Sequence, residues 1–490
     1  MIFQNAIALS LVLLVTLYST SIKAQDQAGT IYSIPSGFIQ CDVTIVSGAD
    51  KVLVDELRIG LGASIRCNDV SNDSIKSRVK NLGPITRVVK RAFTANIDWK
   101  SILELPNVQH SVREFTLVEK YRPVNGFPNL PEVHTLRVYT SDADVETAKI
   151  LESLPKIRHL TPLNAIDSDL ALIAGKDGLS SLEVAKHFSS ETHELLRISE
   201  DGPKVIGLTM DNLSQGDIDV LNRRDDIRIK LGVQFKNFRN LKNIVALRFL
   251  PSKYDEIARG LAKCRSKISI KDVCVFRQPQ DVASLINSLS SLPSLEKLTL
   301  FGNYTKDELA GLSNLKKLKS LALISSPNNS NLDISSILKL SKLSHLRLEN
   351  IELDPLNYHP INKIDTLDSL ELINVSNPKV AIRALTSVAA VKHLALCADT
   401  SVQLLDQDFL ADEISGVEHL KVLNDMFYEK LTTQETAQNL LKKFTKLKSF
   451  SCTMDFRDAA DTVGAKKSTE QKKVPGQNKG GQEPKTKMTR

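Results

Sequence analysis

The sequence predicts an α/β repeat solenoid, an arc or horseshoe with a parallel sheet on its concave side and helices on its convex side, ending in a disordered basic tail. Three observations carry this. At 490 residues the chain exceeds the size at which a single compact core stops growing. A nine-residue apolar template returns along most of its length at a nearly constant interval. Finally, from Gly464 to Arg490 eight Lys or Arg face two Glu and no aromatic residue, a net +6 that accounts for most of the chain's +7.

Taken in order, the first element is a secretory signal over residues 1–24. Its apolar run, Ala6 to Tyr18, has the length of a signal-peptide core and is too short to span a bilayer. Cleavage is expected after Ala24, with Ser21 as the alternative. Nothing later is apolar for long enough to be a transmembrane segment. If the run is instead a helix of the mature fold, the chain is an intracellular repeat adaptor with reduced thiols. Residues 25–50 are expected to cap the array.

The solenoid is expected over 51–455. Its template is clearest in LSKLSHLRL, Leu340 to Leu348, with apolar residues at positions 1, 4, 7 and 9. It fits again from Leu82, Leu130, Leu154, Leu241, Leu292, Leu315, Ile364, Val388, Ile414 and Phe444. The seventh positions Leu298, Leu321, Leu346, Leu370, Leu394 and Leu420 lie 23, 25, 24, 24 and 26 residues apart. Weaker copies at 54–59, 179–184, 205–210 and 270–275 bring the expectation to about 13 to 15 repeats. The register near 105–117 is ambiguous, and the interval between 208 and 247 fits the spacing poorly, as a distorted turn would.

Positions 7 and 9 alternate, as a strand with one buried face must. Positions 1 and 4 read as the end of a preceding helical stripe, visible in DVASLINSLSSL (281–292), DVETAKILESL (144–154) and ETAQNLLKKF (435–444). Pro131, Pro155 and Pro293, at position 2, are expected to stop those helices. A strand plus a helix per repeat cannot bury its apolar face alone; stacked neighbours do.

This pattern resembles the leucine-rich repeat superfamily over roughly residues 50 to 455. The resemblance implies that strand residues between the leucines face the concave side, the usual binding face. It also implies an Asn three residues beyond the final Leu; Asn303 fits, whereas Ser326, Ile351 and Val375 stand at the equivalent places.

Two columns of that face are candidates for binding a protein partner. An apolar column just after position 9 holds Phe301, Ile324 and Ile373, with Tyr139, Leu250 and Phe276 in other repeats, and Glu349 interrupts it. A polar set comprises His345, Arg347, His393, His419 and Lys421, with His159 an earlier position-6 histidine. His393 and His419 fall in consecutive repeats, about 5 Å apart at the strand spacing. Such a pair suits a pH-sensitive surface, but without a third ligand it is a weak metal site, and no metal or other cofactor is expected.

Six cysteines suit an oxidising compartment. Cys41 with Cys67 and Cys264 with Cys274 are the plausible bridges, while Cys397 and Cys452 lie two repeats apart, too far to bond without a loop excursion. Sequons start at Asn72, Asn212, Asn303, Asn328 and Asn374, compatible with a glycoprotein. The tail, 456–490, lacks the apolar content to fold; Lys466, Lys467, Lys472, Lys473, Lys479, Lys485 and Lys487 are candidates for sulfated glycans or other polyanions. Metalloprotease, nucleophile-elbow and phosphate-loop motifs are absent. The composite expectation is a secreted, extracellular, non-enzymatic binding protein.

Overall fold

In a computed structural model, the described residues lie at 39–46, 52–59, 76–90, 99–117, 127–138, 147–162, 178–184, 205–208, 215–223, 228–233, 240–249, 261–275, 282–332, 335–353, 364–375, 381–385, 391–397, 416–423 and 446–455, a few positions within these excepted. The signal segment, Cys67, the first two sequons, Tyr139, Leu250, Phe276, the segment 435–444 and the basic tail lie outside them.

The described residues form one sheet of eighteen strands. They are β1 Ile39–Val46, β2 Val52–Ile59, β3 Ile85–Lys90, β4 Glu114–Leu117, β5 Thr135–Val138, β6 His159–Pro162, β7 Ser181–Val184, β8 Val205–Leu208 and β9 Arg228–Val233. The series continues with β10 Ile244–Phe249, β11 Asp272–Val275, β12 Lys297–Phe301, β13 Ser320–Leu332, β14 His345–Leu353, β15 Ser369–Ile373, β16 His393–Cys397, β17 His419–Leu423 and β18 Ser449–Asp455. From β2 to β18 each strand pairs in parallel with the next, so chain order and spatial order coincide.

The core follows from the template. Seventh and ninth positions such as Leu298, Leu300, Leu346, Leu348 and Leu370 are completely buried or nearly so. They meet Val282, Leu285, Ile286 and Leu289, the buried stripe of helix Val282–Leu289, as the helical period of that segment requires. Positions 1 and 4 are buried too, but they do not extend the helix. The position-4 amide donates to the position-1 carbonyl in a tight turn, as in Leu295 to Leu292 at 3.3 Å and Leu318 to Leu315 at 3.0 Å. Pro131, Pro155 and Pro293 therefore stand second in a β-turn, where their fixed φ is favourable, rather than acting only as helix breakers.

Successive repeats are also tied just ahead of their strands. The position-5 carbonyl accepts two amides from the following repeat: Lys319 receives both Ser344 and His345, and Asp368 receives both Lys392 and His393. Because this needs only backbone, it persists where side chains vary. In the ambiguous stretch, Pro106–Gln109 is a short helix and β4 begins at Glu114, so VREFTL supplies the strand. The ill-fitting interval near 208–247 holds a full strand, β9. Leu208 pairs with Leu231 and Leu231 with Leu247, only 16 residues on, with a shift between Ile244 and Ala246. The offset there changes by one residue, a β-bulge in β10 on either side of which Ile244, Ala246 and Leu247 are buried.

The arc runs on until its ends meet. β1, within the stretch expected as a cap, pairs antiparallel with β2 and, over seven residue pairs from Gln40–Asp455 to Val46–Ser449, antiparallel with β18. Only residues 47–51 separate β1 from β2, too few for the crossover a parallel pair needs, so β1 runs opposite to its neighbours. The sheet is thereby a closed ring with its leucine core outside, between sheet and convex layer.

Candidate binding surface

Eighteen strands at about 4.8 Å spacing give a ring ~28 Å across between backbones. Side chains of one sheet face occupy about half the ~10 Å spacing of packed sheets, leaving a bore of roughly 18 Å. The bore is open: inward residues around the ring, among them Arg137, Arg87, Glu371 and His393, stay 32% to 50% exposed.

Positions 6 and 8 point inward because 7 and 9 are buried outward, and the charges there are organised. Glu114 lies between Arg87 and Arg137, at 3.4 and 3.1 Å, on three neighbouring strands. Arg347 bonds Glu349 through its Nε and a terminal nitrogen, at 3.1 and 2.6 Å, and reaches Glu371 at 3.4 Å. Glu349, expected on the open face, is only 3% exposed, a carboxylate satisfied by its own strand neighbour. Of the apolar column, Ile373 is buried whereas Phe301 and Ile324 are half-buried and paired across β12 and β13. Further pairs stand at the strand entrances: Glu296 with Lys319, Asp368 with Lys392, and Glu418 with Lys448. Lys448 beside Glu418 holds that carboxyl below its usual range, as Lys156 does for Glu132.

His393 and His419 come together as their spacing predicts. Their rings stack at 4.6 Å and 7°. His419 Nδ1 is 2.7 Å from Ser449 Oγ, and His393 Nε2 is 4.0 Å from an Asp368 oxygen. Burial, and then the neighbouring His393, lower the His419 pKa, so the stack favours a neutral ring. Among the described residues no three His, Cys, Asp or Glu gather as a metal site. His159 and His345 each bond a serine hydroxyl, of Ser181 and Ser344. Lys421 is exposed on β17.

A polar ladder edges the strands, one residue earlier than expected in three of four repeats. Ser325 Oγ donates to Asn303 Oδ1 (2.8 Å), Asn350 Nδ2 to the Ser325 carbonyl (3.1 Å), and Asn374 Nδ2 to Asn350 Oδ1 (3.0 Å). Asn350 and Asn374 adopt φ of 54° and 51°, the left-handed region that Asn tolerates. That kink carries the amide to the place the family pattern assigns to the next residue.

Cys264 and Cys274 hold thiols, not the bridge considered above. Cys264 is buried in the core outside the sheet, whereas Cys274 is at position 8 of β11 and faces the bore, so the sheet lies between them. Burial pushes the Cys274 thiol up to about 12, against the opposing pull of Arg248.

The repeat, the parallel register and the outward leucine core define a leucine-rich repeat solenoid, divergent in spacing and closed on itself. No protein-family model and no curated protein matches the sequence. Similar solved structures include a TLR13–ssRNA13 complex, at 15% identity and TM-score 0.34, covering 81% of this chain and 61% of that one. The Drosophila Toll–Spatzle complex gives 15% and 0.31, covering 83% and 59%. The mouse RP105/MD-1 complex gives 13% and 0.27, covering 72% and 73%. The chain thus spans about three fifths of the length of the first two. Among the described residues no helix is long and apolar enough to cross a membrane.

Proposed function

We propose that this chain is a secreted, non-enzymatic binding protein that holds a macromolecular partner, a protein, against the inward face of its sheet. The observation that carries the reading is an open, largely polar, solvent-exposed inner wall running around a ring whose position-7 and position-9 leucines are committed to the outer core. A wall built this way has side chains held rigidly by backbone pairing, which suits recognition. The apolar run at residues 6–18 supports export. The basic tail supports a second role, retention on sulfated glycans or other polyanions.

The test is capture from native extracellular fluid at physiological salt with three forms: full length, truncated after Thr462, and carrying His345→Glu with Lys421→Glu. The expected result is one protein recovered by the first two and lost with the third. Equal recovery by all three would overturn inner-face binding; loss on truncation alone would make the tail the binding element.

A further inference from the structure

Charge is not spread evenly along the bore. On β9 to β12 the inward positions whose side chains are described carry Arg228, Arg248 and Lys297 against Asp272 alone. Elsewhere on the wall Arg87 and Arg137 share Glu114, and Arg347 is paired with Glu349 and Glu371. Arg228, Arg248 and Lys297 are exposed on β9, β10 and β12 and have no ion-pair partner among the described residues, with Asp272 the one acid on the strand between. The body outside the tail is close to neutral, so this stretch of the wall concentrates positive charge that the rest of the molecule offsets.

Resting on the reading above, we infer that the partner enters the bore as an elongated acidic polypeptide segment, its carboxylates on Arg228, Arg248 and Lys297 and its apolar side chains on Phe301 and Ile324. Size sets the first condition. A helix with its side chains is about 10–12 Å wide and fits a bore of roughly 18 Å. A folded domain of 100 residues, with a radius of gyration of about 13 Å, does not. Charge sets the second, and it excludes the chain's own tail, which is basic. The kind of anion follows from the neighbours. Asp272 within this stretch, and the net-negative group of Arg347 with Glu349 and Glu371 farther along the wall, would repel an uninterrupted polyanion, and the half-buried Phe301–Ile324 pair offers nothing to a sulfated glycan. A segment with spaced carboxylates and apolar residues meets both.

The probe is a fluorescein-labelled (Glu-Leu-Glu-Ser)5 peptide, followed by anisotropy with the full chain. Its Gln-for-Glu counterpart, a 20-nucleotide oligo-dT, a heparin octasaccharide, and the acidic peptide fused at both ends to folded domains are run beside it. The acidic peptide is expected to bind, and the Gln peptide and the doubly blocked fusion at least about tenfold more weakly. The triple variant R228Q/R248Q/K297Q loses about tenfold. The variant K316Q/K339Q/K342Q, with the same charge change on exposed residues away from the inward positions, retains binding. Binding of the blocked fusion as tight as that of the free peptide overturns insertion; tighter triple-sensitive binding of oligo-dT or heparin overturns the peptide. If no probe binds while the capture experiment still depends on His345 and Lys421, this inference fails and inner-face binding stands. If that dependence is also missing, both fail.

Discussion

Arg347 is expected to matter more to stability than its half-exposed position suggests. The Glu349 carboxylate is almost fully buried and accepts two hydrogen bonds from Arg347. Replacing Arg347 with Ala leaves that charge buried without its counter-ion, a change that typically costs about 3–5 kcal/mol. Because the Arg347 side chain is 41% exposed, water reaches the pair and the lower end, ~3 kcal/mol, is expected. Its contact with the exposed Glu371 adds at most about 1 kcal/mol. The asymmetry is the test: Glu349→Leu removes the buried charge, fills a similar volume, and should cost less than about 1 kcal/mol or stabilise. In R347A/E349L most of the arginine penalty should vanish. Urea-dependent hydrogen exchange at the amides of β13 to β15 measures this locally, which suits a repeat array whose unfolding need not be two-state. If R347A costs no more than E371A, or E349L costs as much as R347A, the pair is an ordinary surface contact and the reasoning fails.

Asn350→Ala should destabilise by about 3 kcal/mol, from two ladder bonds near 1 kcal/mol each and a similar left-handed backbone penalty; Asn350→Gly should cost about 2, by chemical denaturation. Cys274, with its thiol near 12, should resist iodoacetamide at pH 8 in the native protein and react on unfolding, read by mass spectrometry. The lowered pKa of His419 means the unfolded chain binds the proton more readily. Stability should therefore be full above the unfolded value of about 6.5 and fall as pH drops through the window beneath it, and His419→Gln should flatten that dependence in thermal melts. Amides of β18 from Ser449 to Asp455 should be protected along both edges in hydrogen exchange. Fast exchange at alternate amides would mean that β1 does not close the ring.

Much of the repeat architecture was legible because it is local. The 7 and 9 positions show strand alternation directly, and His393 and His419 are neighbours simply because one repeat separates them. What escaped notice depends on geometry that spacing does not encode. β9 was hidden because only 16 residues separate Leu231 from Leu247, too few for the usual convex segment. The ladder was sought one residue late because a left-handed Asn moves its side chain without changing the count. Cys264 and Cys274 looked close along the chain, yet the sheet separates them. Glu349 looked like a surface residue until Arg347, two residues earlier on the same strand face, was seen to cover its charge. Closure was invisible for a different reason: IQCDVTIV is an ordinary alternating strand, and nothing in it names a partner some 400 residues away.

That distance has a consequence for how the molecule is made. β1, the first described strand to leave the ribosome, finds β2 at once but can complete its pairing only with β18. At about 5–20 residues per second, the intervening ~400 residues take roughly 20–80 s to synthesise. Throughout that interval the nascent chain carries two unpaired strand edges, one at the outer side of β1 and one advancing with each new repeat, both competent to add a strand from another chain. The finished molecule has neither. Self-association through these two edges is therefore confined to biosynthesis, and charged strand entrances such as Glu296 and Lys319 work against it on the growing edge.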